Sequence, residues 1–138
     1  MAWNIAMPDA EWIDRQSEAL PDLIQTLTKV REIAIDTETT GLTVWKDHPI
    51  FWSLSFAQDN QYRRICLPAN TLRLFKDIFK DPSKRWILAN AKFDMHMLDN
   101  VGIQLAGEVA DVQVMHSLIY EEQSHNEEIG RASCRERV

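Results

Sequence analysis

The chain has 138 residues, with 15 Lys and Arg against 21 Asp and Glu, for a formal net charge of −6. That length builds one domain with a real core but not two, and the acidity excludes a broad phosphate-tracking surface of the kind that binds nucleic acid nonspecifically. No window is apolar for long enough to form a membrane helix, and the N-terminus, with Trp3, Asn4 and Asp9, lacks the basic-then-apolar order of a signal peptide, so a cytoplasmic location is expected. Cys66 and Cys134 have no metal-site spacing. A lone disulfide is unusual in that compartment, so Cys66 is expected as a small buried residue.

Residues 1–10 show no period. Residues 12–14 are a short strand candidate. Ser17 has the character of an N-cap, and Leu20, Leu23, Ile24, Leu27 and Val30 recur at helical spacing, with Pro21 in the tolerant first turn. The β-branched run Ile33–Ile35 predicts a buried strand over 32–36, followed by a loop over 39–49 with Gly41 and Pro49 as breakers. From Trp52 to Phe56 large apolar and serine residues alternate, which predicts a strand over 50–57. Asp59-Asn60 makes a turn into a strand over 62–67, which Pro68 ends. A helix is predicted over 71–79, then a buried strand over 85–89. Another helix follows over 93–100, with Phe93, Met97, Leu98 and Val101 inward and Gly102 at C′. A loop and short strand over 103–109 lead to a last helix that Asp111 caps, with Val114, Met115, Leu118 and Ile119 as its stripe. The order implies an α/β mixed sheet of five strands, an antiparallel meander with parallel additions, flanked by helices.

Asp36 and Glu38 stand at i and i+2 of the 32–36 strand, so they share a face at its C-terminal end. Two adjacent anions repel unless a cation lies between them, and hard carboxylate oxygens suit Mg²⁺ or Mn²⁺. A bare Asp-x-Glu is most simply a solvated strand end. The third acid changes that reading. Asn90-Ala91-Lys92-Phe93-Asp94 follows a buried strand and opens a helix. Alone, Asp94 is a first-turn acid that favours the helix dipole.

Together, Ile35-Asp36-Thr37-Glu38-Thr39-Thr40-Gly41-Leu42 and Asn90-x-x-Phe93-Asp94 resemble the first two motifs of the DEDD 3′-5′ exonucleases, which have an RNase H-like fold. The likeness is nearest to the proofreading domains of family A DNA polymerases, and it runs from about Trp12 to about Tyr120. The resemblance implies that Asp36, Glu38 and Asp94 hold two divalent cations, Mg²⁺ or Mn²⁺, for metal-assisted phosphodiester hydrolysis. It implies that Leu42 wedges against the terminal base at the 3′ end of single-stranded or frayed DNA. Thr39 and Asn90 are then near the terminal nucleotide, and Phe93 packs beside the site and into the core. Asp111 corresponds to a helix-opening structural position. A polymerase domain in the full-length chain is a further implied partner. An RNase D-like exoribonuclease shares these motifs, and a module that only binds nucleic-acid ends is the non-catalytic alternative.

The chain departs from that pattern near its end. After Asp111 it contains no Asp, and His125 is followed four residues on by Ile129, so the third motif with the fourth metal ligand is missing. Residues 128–138, Glu-Ile-Gly-Arg-Ala onward, show no period and resemble the translation of a short-read sequencing adapter, AGATCGGAAGAGC. They carry three Arg and two Glu, so the rest of the chain is at −7. The expectation is a truncated exonuclease domain over 1–127, without its C-terminal helices, and an artefact tail over 128–138. Impaired hydrolysis and an uncovered apolar stripe at 115–119 follow from it.

Overall fold

The computed structural model describes residues 9–119. The N-terminal eight residues and the tail expected at 128–138 lie outside them. The elements run β1 Ala10–Trp12, α1 Ala19–Thr28, β2 Glu32–Thr39, β3 Pro49–Gln58 and β4 Gln61–Pro68. A 3-10 helix Ala69–Phe75, α2 Lys76–Phe79, β5 Arg85–Leu88, α3 Ala91–Asp99, β6 Glu108–Asp111 and α4 Val112–Ile119 complete them. One sheet has the order β1-β4-β3-β2-β5-β6. β2, β3 and β4 form the antiparallel meander, β5 and β6 add in parallel, and β1 pairs in parallel with β4.

The sheet therefore has six strands, not five. The extra one, β1, lies two residues before the expected 12–14 stretch. Three residues are too few to display a period, so its place is set by contacts distant in sequence. Ala10 packs on Cys66, and Arg63 makes two 3.1 Å hydrogen bonds to the Glu11 carboxylate. Cys66 is buried as expected.

Alternation decides what each face of the sheet carries. Ile33, Ile35, Trp52 and Leu54 point to one side, where α1, the 69–79 segment and α3 cover them. Each such side chain contributes about 1.5–3 kcal/mol on burial. Trp52 stands edge-on to Phe75 at 4.9 Å and donates its indole N–H to Thr71 Oγ1 at 2.9 Å. Thr71 in turn donates to the Pro68 carbonyl. That local tie accompanies a tight 3-10 start where a uniform α-helix over 71–79 was expected. The other face of β2 and β3 presents Ala34, Asp36, Glu38, Ser53 and Ser55, all half-buried.

Lys84 went unnoticed in the sequence yet is 2 % exposed. Its ammonium donates to the carbonyls of Leu27, Thr28 and Val30, and so closes the C-terminal end of α1. Burial pulls its pKa down, against the pull of the Asp81 carboxylate 3.8 Å away. The stripe of α4 lies open as expected: Val114, Met115, Leu118 and Ile119 are exposed. No helix among the described residues is long and apolar enough to cross a membrane.

Candidate active site

The two acids of the first motif sit where β2 ends. In the register Asp36 stands opposite Ser53 and Glu38 opposite Phe51, but Thr39 is opposite Pro49, so a bulge lies between Glu38 and Thr39. Bulges re-aim the side chains beside them. The strand then stops because Thr39 spends its hydroxyl on the Gly41 carbonyl at 2.7 Å. A Cβ at Gly41 would lie 2.5 Å from Asp47 Oδ2, so a larger residue there would push that carboxylate aside.

Asp94 reaches β2 by a separate route. β5 runs parallel to β2 and ends at Leu88, and Asn90 takes a left-handed φ of 57°, which turns the chain directly into α3. Asp111, at the end of neighbouring β6, fixes this corner. Its carboxylate accepts the N–H groups of Asn90 at 3.2 Å and Ala91 at 2.8 Å, and those of Gln113 and Val114 at 3.0 and 3.2 Å. It therefore caps α3 as well as α4. The cap on α4 was expected from the sequence; the one on α3 was not. Burial pushes the Asp111 pKa up, but the four N–H donors outweigh it and hold it below the ordinary value.

In the first turn of α3, Asp94 is 2 % exposed and accepts the Thr37 hydroxyl at 2.5 Å. Thr37 is the residue between Asp36 and Glu38. The third acid thus lands on the same three-residue segment as the first two, across a large separation in sequence. Alternation places Thr37 on the face opposite Asp36 and Glu38. Among the described residues, no group of three His, Cys, Asp or Glu side chains stands close enough to enclose one ion. The donor set itself, three carboxylates with one deeply buried, is of the hard-oxygen kind that divalent cations take.

A buried carboxylate needs its donor. Thr37→Val is therefore expected to cost about 1–3 kcal/mol, read as a shift in the denaturant midpoint, whereas Thr37→Ser retains most of the stability. Equal stability of the valine and serine variants would remove Thr37 from this account.

The other sequence candidates have distinct surroundings. Leu42 is 80 % exposed, and Asn90 is exposed with its N–H on Asp111. Phe93 is only half-buried and stands outside the core cluster, so the expected core packing is not observed; its neighbour Asp94 takes the inward position instead. The loop after Gly41 is held by Asp47, whose carboxylate accepts the Thr43 N–H and the Thr40 hydroxyl. Those two bonds, the Thr43 N–H foremost, keep its pKa low. Asn100, at the end of α3, donates to the Val44 and Asp47 carbonyls at 2.7 and 2.8 Å. A cavity of about 580 Å³ runs along α3 past Lys92, Met95 and His96, but none of the three acids lines it.

Comparison with known proteins gives the family and the fold. Residues 11–127 match the family model for the 3′-5′ exonuclease. The chain is 26 % identical over 122 residues to DNA polymerase I of Chloroflexus aurantiacus; the match takes in 83 % of this chain and 13 % of the polymerase. Escherichia coli RNase D, an exoribonuclease involved in structured RNA processing, superposes with a TM-score of 0.64 at 20 % identity, over 85 % of this chain and 31 % of that one. Brucella melitensis NrnC with bound Mg²⁺ gives 0.57 at 21 % identity, over 87 % and 58 %. The structural likeness establishes the RNase H-like fold. The chain spans only a small part of the polymerase and less than two thirds of either solved relative. With the family match covering most of its length, this chain belongs to the 3′-5′ exonuclease family of the family A DNA polymerases.

Proposed function

We propose that this domain removes nucleotides from the 3′ end of single-stranded or frayed DNA in the manner of a proofreading exonuclease. Asp36, Glu38 and Asp94 would hold its two divalent cations, Mg²⁺ or Mn²⁺. The observation that carries the reading is the hydrogen bond of buried Asp94 to Thr37, the residue that separates the two strand acids in sequence. When bound, such cations bring a water to the hydroxide state near neutral pH and offset charge on the leaving 3′ oxygen. The carboxylates position charge and move no proton themselves. Thr37 and the corner at Asp111 keep Asp94 in place. Leu42 meets the terminal base, and Thr39, Asn90 and Phe93 border the terminal nucleotide.

The native domain extends over 1–127 in this proposal, followed in the full-length protein by a polymerase domain, and 128–138 is foreign sequence. The family match ending at residue 127 is in keeping with that division. The working location is the cytoplasm. An RNase D-like exoribonuclease is the second reading, favoured by the RNase D and NrnC folds.

The test uses 5′-labelled DNA and RNA strands of one sequence with Mg²⁺ or Mn²⁺. Metal-dependent shortening from the 3′ end, faster on DNA, is expected. Faster shortening of RNA selects the second reading. Loss from the 5′ end, or shortening in the presence of a chelator, contradicts both.

A further inference from the structure

Trp45 belongs neither to the core nor to the group of acids. It is 82 % exposed, whereas Trp52 and Trp86 are buried in the core. An exposed indole adds nothing to folding, and its surroundings are unusually fixed for a surface loop. The carbonyls of Val44 and Asp47, on either side of it, both receive the Asn100 amide. The Thr43 N–H is held by the Asp47 carboxylate, and the Asp47 N–H returns to the Thr43 carbonyl at 2.8 Å. The loop therefore forms a stay between the end of β2, which carries Asp36 and Glu38, and α3, which carries Asp94. A backbone fixed in advance leaves only the side chain's own rotations to be lost when a ring settles on the indole. Lys46 beside it is also exposed, a local positive charge in an acidic chain. An aromatic platform with adjoining cations is how proteins hold single strands without reading their sequence.

We infer that Trp45 is a stacking platform for a nucleobase upstream of the nucleotide being removed, a contact that neither the three acids nor Leu42 supplies. The inference rests on the exonuclease reading for its ligand. Stacking on an indole is indifferent to base identity, as an end-trimming enzyme requires. It also binds the strand behind the scissile bond, where the chain offers no broad basic surface.

The test is the Kd of the full chain for 5′-fluorescein oligothymidylate, with Ca²⁺ in place of Mg²⁺, measured by anisotropy. Thymidine monophosphate binding is measured alongside. Trp45→Ala is expected to weaken oligonucleotide binding about tenfold, with Trp45→Phe retaining most of it and monophosphate binding unchanged. A wild-type Kd in Trp45→Ala overturns the platform, as does equal weakening for the monophosphate or a wild-type chain that binds no strand. Failure of the exonuclease reading looks different: oligonucleotide binding still depends on Trp45, but no divalent cation releases 3′ nucleotides.

Discussion

Asp36→Ala is expected to lower metal-dependent release of 3′ nucleotides by at least about a hundredfold, the scale at which even indirect supports of a metal site act. Stability should stay level or rise. Asp36 and Glu38 share a half-buried face of β2, and removing one of two neighbouring anions relieves their repulsion. Loss of activity together with an undiminished melting temperature distinguishes a residue that holds catalytic cations from one that holds the fold. If hydrolysis persists in the variant, Asp36 is not a ligand. A module that only grips nucleic-acid ends would show no change in binding.

Asp111→Ala should have the largest effect on folding. One carboxylate accepts four backbone N–H groups from two helix starts. Losing a helix cap costs about 1–2 kcal/mol, so the loss of both here costs about 2–4 kcal/mol. The damage reaches the site, because α3 begins at Ala91 and presents Asp94 in its first turn. The same group gives the sign of a pH dependence. Its pKa is lower in the folded protein than the ordinary 3.8, so the unfolded chain takes up the proton first as pH falls. Its stabilisation is complete above that ordinary value and is lost as pH drops through the lower folded value. In denaturant titrations across that acid range, the wild type should lose stability faster than Asp111→Ala. Parallel curves would show that the four contacts contribute nothing.

Much of the fold was legible because its signals are local. Alternation from Trp52 to Phe56 and the period of Leu20, Leu23 and Leu27 need only neighbours to be read, and both faces came out as expected. Gly102 also matched: its φ of 80° and the bonds from Gly102 N–H to Asp99 and Ile103 N–H to Leu98 close α3. What escaped depends on distant partners. β1 exists through β4, and the buried ammonium of Lys84 through the end of α1. A helical period puts Phe93 inward, but in α3 it is Asp94 that is buried, where the Thr37 hydroxyl meets its carboxylate. At the site, residue types identified the acids. Thr37 looked like filler between them, and only the arrival of α3 on that face gives its hydroxyl a partner. Nothing in a local window announces that Asn100 would steady Trp45.

A shared site requires that Asp94 act with Asp36 and Glu38. Mn²⁺ binding, followed by loss of the free-ion electron paramagnetic resonance signal, tests this without requiring turnover. Asp94→Asn keeps the shape and the Thr37 contact but removes the charge, and should weaken Mn²⁺ binding at least about tenfold, as should Asp36→Asn. A folded Asp94→Asn protein that binds Mn²⁺ as tightly as the wild type would contradict it.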